Sequence, residues 1–304
     1  MKLVQLIHNP TAGDEAHSKD ILIQQIENAG FGCRYRSTKE PGWKELDEDA
    51  DLLAIAGGDG TVRKVVKQVL RKDSGLKKIP LAVIPLGTAN NLAGTFNSKQ
   101  ELSTLLQSWK EEQIKKVDVG KVENVPDIDF FLEGFGFGIF PMLMKQMKKR
   151  EVAYNSPEEE LQGALKTLHK ILLEYEPRRC ELEVDGTDHS GTFYVVEVMN
   201  IRSIGPNMLL APMADPGDGE LEIVLVPEAH KEKFSSFLIH KLTNSGEEFH
   251  FHTLKGKKIR IRWNGTRLHA DDKMLKLEKE IEVCIEIKEG ALQFIVPADE
   301  SANG

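Results

Sequence analysis

Cysteine is scarce in this chain. Three thiols, Cys33, Cys180 and Cys284, lie too far apart for a zinc-binding spacing or a disulfide framework. Each reads as a small buried hydrophobe, and a reducing cytoplasmic compartment is the expectation. Long apolar runs are also missing. No stretch approaches the roughly 18–20 residues of a membrane span. The N-terminus enters a strand at once, so no signal peptide is expected. Positive charge is in deficit: 40 Lys and Arg stand against 48 Asp and Glu, a net charge of −8. That balance argues against a general nucleic-acid binder. It also means that an anionic membrane has to be met by a local basic patch. Two stretches offer one, residues 142–150 and 255–262. The second alternates and reads as a strand with one basic face; for both, a solvated charged surface is the plainer reading. The GxxxxGK[ST] pattern is absent, and with it the usual Walker machinery.

What is present is enough for two domains with real cores: 304 residues, 40% hydrophobic and 29% charged. The most informative stretch is Gly57-Gly58-Asp59-Gly60-Thr61. It follows an apolar run at 52–55 and precedes a segment with apolar residues at 62, 65, 66 and 69, the helical period. A glycine-rich turn carrying one acid therefore closes a strand and opens a helix. Ligands of open α/β sheets bind at that edge, and helix N-terminal amides attract phosphate there. Two further turns belong to the same edge. Asn9-Pro10-Thr11-Ala12-Gly13 follows a strand at 3–7, and Pro85-Leu86-Gly87-Thr88-Ala89-Asn90-Asn91-Leu92-Ala93 follows one at 81–84.

Up to about residue 120, strands at roughly 2–8, 51–56 and 80–84, with a short one at 33–38, alternate with helices at roughly 18–29, 61–72 and 99–112. This order predicts a parallel sheet with helices on both faces. Asn97 and Ser98 are placed to cap the helix of 99–111. Beyond 120, alternating strands at 117–122, 129–132, 179–184, 192–198, 221–226, 258–263 and 281–288 predict an antiparallel β-rich domain. A partly basic, amphipathic helical insertion spans about 139–174, and another helix 230–243. Residues 292–296 form a final strand, and 299–304 are expected to fray. Edge strands of the β-rich domain leave pairing into a homodimer open.

The three turns, in this order and spacing, resemble the catalytic family of diacylglycerol and sphingosine kinases, and more loosely the NAD kinase and phosphofructokinase superfamily. The likeness extends downstream. Residues 133–138 sit where that family has a glycine-containing turn. Asn200, Gly205, Met208, Ala211 and Pro212 match a further segment, and 215–221 resemble its acidic turn. The resemblance implies an NAD kinase-like α/β domain of 1–120 with a C-terminal strand at about 290–298. It implies an antiparallel β-sandwich of 121–289 as the second domain. It also implies an ATP- and Mg2+-dependent kinase whose acceptor is a lipid hydroxyl held between the domains, acting peripherally at the inner membrane face and binding no nucleic acid. Asn9, Thr11, Thr38, Gly57, Gly58, Asp59, Gly60, Thr61 and Thr88 then form the nucleotide site, with Asn90 and Asn91 supporting the loop.

Phosphoryl transfer needs a phosphate cradle, charge neutralisation and an aligned acceptor. A carboxylate repels phosphate, so Asp59 makes sense if magnesium bridges it to the nucleotide; the alternative is a cap on the helix that follows. Asp215 and Asp218 read as an ordinary Asp-Gly turn or, by resemblance, as holding a structural magnesium with the Glu220 carbonyl. In Asp271-Asp272-Lys273 the family usually has Asp-Gly-Glu, whose Glu takes the acceptor's proton. Here Lys273 stands at that position, so Asp271 or Asp272 takes over, turnover is slow, or the chain binds without catalysing. Among nine histidines, His250 and His252 alternate and could suit a metal, though a polar strand face is the simpler reading. Apolar residues after the 133–138 turn (Phe135, Phe137, Ile139, Phe140, Met142, Leu143, Met144, Met147) suit either an acyl pocket or plain core. A kinase of soluble substrates resembling NAD kinase is the third reading.

Overall fold

The computed structural model describes residues 1–13, 17–71, 75–87, 89–149, 156–205, 208–243 and 251–297. Thr88, His250 and the expected frayed tail fall outside them. The chain divides into two compact units, residues 1–118 with 289–304, and residues 119–288.

The first unit runs β1 (Leu3–His8), α1 (Lys19–Asn28), β2 (Gly32–Ser37), β3 (Leu52–Gly57), α2 (Asp59–Val69), β4 (Leu81–Pro85), α3 (Asn91–Thr95) and α4 (Leu102–Glu111), and then enters β5 (Ile114–Glu123). Its strands pair in the order β4-β3-β1-β2, all parallel. Phe294, near the chain's end, pairs in parallel with Leu81. Parallel strands are buried on both faces, and these are. Val4, Leu6, Leu52 and Ala54 pack with Leu22, Ile26 and Trp109. Ile7, Leu53 and Ile55, which alternate with them, are equally buried. The apolar stripe of α2, Val62, Val65, Val66 and Val69, is buried throughout, each valine worth about 1.5–3 kcal/mol. Helix α4 begins at Leu102 rather than at Lys99. Asn97 takes a left-handed φ of 53° and the Ser98 hydroxyl donates back to the Phe96 carbonyl, so neither residue caps it.

The second unit contains β6 (Phe130–Phe131), β7 (Gly134–Gly138), α5 (Ile139–Lys148), α6 (Pro157–Glu174), β8 (Arg178–Val184), β9 (Thr187–Asp188), β10 (Gly191–Met199), β11 (Ser203–Ile204), β12 (Met208–Leu209), β13 (Leu221–Pro227), α7 (Lys231–Thr243), β14 (His252–Gly256), β15 (Lys258–Trp263), β16 (Arg267–Ala270), β17 (Lys273–Lys276) and the first half of β18 (Glu282–Ile295), whose residues from 289 on belong to the first unit. The expected turn at 133–138 is in fact the wholly buried strand β7, paired antiparallel with β10 and β16. Alternation along β10 sorts its residues onto two faces. Val196 and Val198 enter the sandwich interior with Phe135, Phe137, Ile223, Ile261 and Val283. Val195 and Met199 face a helical layer of α5, α6 and α7 with Phe140, Leu168 and Phe234. Ser156 opens α6 as its N-cap, its hydroxyl accepting from the Glu159 amide at 3.2 Å. All three cysteines are free thiols. Only Cys180 is fully buried, with its thiol pushed up to about 12 by burial and then by Glu181.

Candidate functional site

Three strand ends are tied together at the C-terminal edge of the parallel sheet. The Asn9 amide donates to the Ala56 carbonyl at 2.9 Å, and the Thr38 amide to the His8 carbonyl at 2.8 Å. The Asn9 side chain accepts from the Thr11 hydroxyl at 2.9 Å, which shapes the first turn. Asn9, Thr11 and Thr38 thus share an edge with the ends of β1, β2 and β3.

The glycines of the other two turns meet backbone to backbone. A Cβ on Gly87 would lie 2.6 Å from the Gly58 Cα, and one on Gly57 would lie 2.6 Å from the Thr61 hydroxyl. No side chain fits at either position. The Leu86 amide donates to the Gly57 carbonyl at 3.1 Å. Asn90 closes its own loop with a reciprocal amide pair: its oxygen accepts from the Gly87 amide at 2.9 Å and its nitrogen donates to the Gly87 carbonyl at 2.5 Å. It does so from a left-handed backbone, φ 50°, which asparagine tolerates better than most residues.

Asp59 opens α2 but caps a different helix. Its carboxylate accepts the amides of Asn91 at 3.0 Å and Leu92 at 3.2 Å, at the start of α3. Glycine 58 occupies the N-cap of α2 without a side-chain bond. Asp59 therefore latches the second turn to the third. Together with the glycine approach, this fits a phosphate cradle whose shape is set before any ligand arrives. His8 went unnoticed in the sequence. It is buried at the end of β1, with Nδ1 3.1 Å from the Tyr35 hydroxyl and Nε2 without a partner among the described residues. Burial, and then His17, holds its imidazole below the ordinary histidine range.

In the second unit, Asp271 and Asp272 form the two-residue loop of the β16–β17 hairpin. Asp271 is buried at φ 51°. Its carboxylate accepts the amides of Leu132 (3.0 Å), Glu133 (2.8 Å) and Gly134 (3.3 Å), so it clamps the entry to β7. Asp272 is exposed at the tip. The Lys273 ammonium donates to the Asp127 carbonyl at 3.0 Å.

Beneath this hairpin lies a pair that periodicity could not announce. Glu197 of β10 and His269 of β16 are both fully buried, and they meet across β7, His269 Nε2 to Glu197 Oε2, at 3.0 Å. They can meet because the β7 residue between them is Gly136, where a Cβ would collide with the Glu197 carboxylate. His269 Nδ1 stands 3.3 Å from the Asp271 carbonyl. Burial alone would lower the His269 value, but Glu197 and the Asp271 backbone outweigh it and raise it. Burial raises Glu197 too, against the pull of His269. The pair thus holds one proton more firmly than the separate groups would.

The acidic turn, to which the resemblance assigned a structural magnesium, has its carboxylates engaged within the protein. Asp215 and Asp218 make ordinary turn bonds to the amides of Gly217 and Glu220, both at 3.0 Å. A stand-in cation is already present: Lys255 Nζ lies 3.1 Å from Asp218, 3.6 Å from Glu220 and 3.9 Å from Glu222. Its hydrogen bond to Asp218 raises the Lys255 value. Among the described residues no group of three or more His, Cys, Asp or Glu side chains is arranged to hold a metal. His252 is exposed on β14. Of the residues considered for an acyl pocket, Phe135 and Phe137 are sandwich core, while Ile139, Phe140 and Leu143 pack in the helical layer with Met142 and Met147 at its margin. A cavity of about 560 Å³ in this unit is lined instead by charged groups, among them Glu183, Asp185, Lys258 and Glu286. No helix among the described residues is long and apolar enough to cross a membrane.

Residues 4–122 match the sequence profile of the diacylglycerol kinase catalytic domain, and 146–296 that of the YegS C-terminal NAD kinase beta sandwich-like domain. A diacylglycerol kinase of Bacillus subtilis (strain 168) is 26% identical over 253 residues, 77% of each chain. One from Staphylococcus haemolyticus (strain JCSC1435) is 24% identical over 322 aligned positions, 93% of this chain and 88% of that one. The crystal structure of a diacylglycerol kinase from Bacillus anthracis str. Sterne superposes with a TM-score of 0.73 at 22% identity, covering 99% of this chain and 98% of that one. An NAD kinase from Archaeoglobus fulgidus in complex with ATP superposes with a TM-score of 0.53 at 13% identity, covering 100% and 96%. These structures share the fold: a parallel-stranded N-terminal unit followed by a β-sandwich.

Proposed function

Because the chain belongs to the diacylglycerol kinase catalytic-domain family, with an NAD kinase-like fold, we propose that it transfers the γ-phosphoryl group of ATP to the hydroxyl of a lipid alcohol, of the diacylglycerol or sphingoid type. The observation that carries this reading is the backbone contact of Gly58 with Gly87, locked by Asn90 and by Asp59. Two glycine turns held this close present amides where a nucleotide's phosphates would lie, with no side chain in the way. Asn9, Thr11, Thr38 and Thr61 offer polar contacts on the same edge, and Thr88 belongs to the loop by sequence.

Magnesium bound with the nucleotide would supply charge neutralisation at the transferring phosphate, and Asp59 is the residue that would meet it. The 215–220 turn has no such part, since Lys255 already balances its acids. On the acceptor side, Asp271 spends its carboxylate on three backbone amides. Asp272, exposed beside it, is the residue we assign to receive the hydroxyl proton, a contribution of about 10²–10⁴-fold. Positioning and charge supply the rest of the acceleration in a loose phosphoryl transition state. A second reading has one observation behind it: the lysine at 273 is turned to the Asp127 carbonyl. On that reading the protein binds nucleotide or lipid without efficient turnover.

The test is ATP consumption by purified protein with magnesium, in mixed micelles containing diacylglycerol, sphingosine or phosphatidylglycerol, beside an Asp59→Ala control whose fold is checked by circular dichroism. Lipid-dependent turnover that disappears in the control supports the kinase and identifies its acceptor class. ATP binding without turnover on any acceptor supports the second reading.

A further inference from the structure

The two basic stretches of this acidic chain have different fates in the fold. On β15 the exposed faces of Arg260 and Arg262 are neutralised from neighbouring strands: Arg260 Nε bonds Glu183 at 3.1 Å, and Arg262 approaches Glu282 at 3.4 Å. The stretch on α5 is not neutralised. Lys145 and Lys148 occupy its last turn, and the helix packs on β16 and β17. Those two strands set Arg267 directly opposite Lys276 in the ladder. Like charges facing each other across a ladder destabilise it. Arg267, Lys149 and Lys276 all act on Lys145 and hold its ammonium below the ordinary lysine range, with partial burial helping. None of these groups is paired with an acidic side chain among the described residues. A helix C-terminus favours cations, which offsets only part of the repulsion.

A chain of net charge −8 that gathers cations from three elements and leaves them unneutralised has a surface complementary to a polyanion. We propose that the face formed by Lys145, Lys149, Arg267 and Lys276 docks on an anionic membrane surface. Methionines accompany the cations: Met144 and Met147 on α5 and Met274 on β17 are half-buried, and such flexible apolar side chains suit an interface with lipid. Single-stranded nucleic acid would ask for exposed aromatic platforms, and the one aromatic of α5, Phe140, is buried. The proposed kinase reaction enters only in preferring lipid over other polyanions; the charge cluster stands without it.

Flotation of the full-length protein with vesicles of phosphatidylcholine, with and without phosphatidylglycerol, tests the assignment. Wild type should bind only the anionic vesicles, less so as salt rises. An Arg267→Gln/Lys276→Gln variant should bind roughly 25-fold more weakly, about five-fold per charge removed, while its melting temperature stays unchanged or rises as the cross-strand repulsion is relieved. Equal binding to neutral and anionic vesicles, an unweakened variant, or tighter binding to an RNA oligonucleotide than to the vesicles would overturn it. Phosphorylation of a monomeric short-chain diacylglycerol should be the same in both proteins. Turnover absent from both while vesicle binding persists would overturn the kinase reading and leave the docking face standing.

Discussion

Replacing His269 with phenylalanine should cost the β-rich unit about 3–5 kcal/mol, because it strands a buried carboxylate. At 3.0 Å, and at an effective dielectric constant near 20, the pair's attraction is about 5–6 kcal/mol. Removing two ionised groups from water costs several kcal/mol each, so the intact pair contributes little net stability. The effect is therefore asymmetric. Glu197→Leu should be milder, since the imidazole left behind can shed its proton, whereas Glu197 has one oxygen, Oε1, without a partner among the described residues even with His269 in place, and the His269→Phe variant takes away the partner of the other. Replacing both together should recover most of the loss. The pH dependence has a definite sign. The folded value of His269 is raised above 6.5, so the stability it confers is full below that pH and is lost as pH rises through the folded value; the raised Glu197 carboxyl acts in the same direction. Wild-type stability should then fall relative to the double variant above about pH 6.5, by at most about 1.4 kcal/mol per pH unit. Urea unfolding followed by circular dichroism, repeated across that range for wild type, both single variants and the double variant, reads all of this. Parallel pH profiles for wild type and the double variant, or a His269→Phe variant as stable as wild type, would refute the reasoning.

Four further substitutions separate the parts of the site. Gly87→Ala puts a methyl 2.6 Å from the Gly58 Cα; nucleotide affinity by calorimetry should drop about tenfold or more, as the two turns are forced apart. Asp271→Ala leaves buried amides of 132–134 unanswered and should lose about 3 kcal/mol or more of stability, while Asp272→Asn should leave the melting temperature alone and lower kcat about 10²-fold; equal effects on stability would sink that division of labour. Lys255→Met removes the cation from the acidic turn. The variant's melting temperature should become magnesium-dependent where wild type is indifferent to EDTA, and a wild type that EDTA destabilises would show that the turn does hold a metal.

Much of the first unit was legible because its signals are local. The apolar run of β3, the glycine turn and the valine period of α2 lie within a few residues of one another. Backbone geometry demands glycine at such a turn whatever the rest of the chain does. The misreadings arose where a local pattern had two physical outcomes. Gly134, Gly136 and Gly138 looked like a turn, yet two of their alternating partners are phenylalanines that belong in a sandwich core, so the segment became β7. Its glycine at 136 serves the Glu197 carboxylate rather than the chain direction.

Composition and period by themselves determined the parallel strand–turn–helix units, the antiparallel alternation after residue 120, and the residues that crowd the sheet edge, since each depends on neighbours within about one helical turn or a few strand positions. Tertiary structure alone decided which partner each charged group found. Glu197 meets His269 across 72 residues and Asp271 clamps Leu132 across 139. Asp59 caps a helix 32 residues on, and Lys255 reaches Asp218 across 37. No periodicity encodes such pairings, because a charge is satisfied by whatever the folded backbone brings within about 3 Å of it.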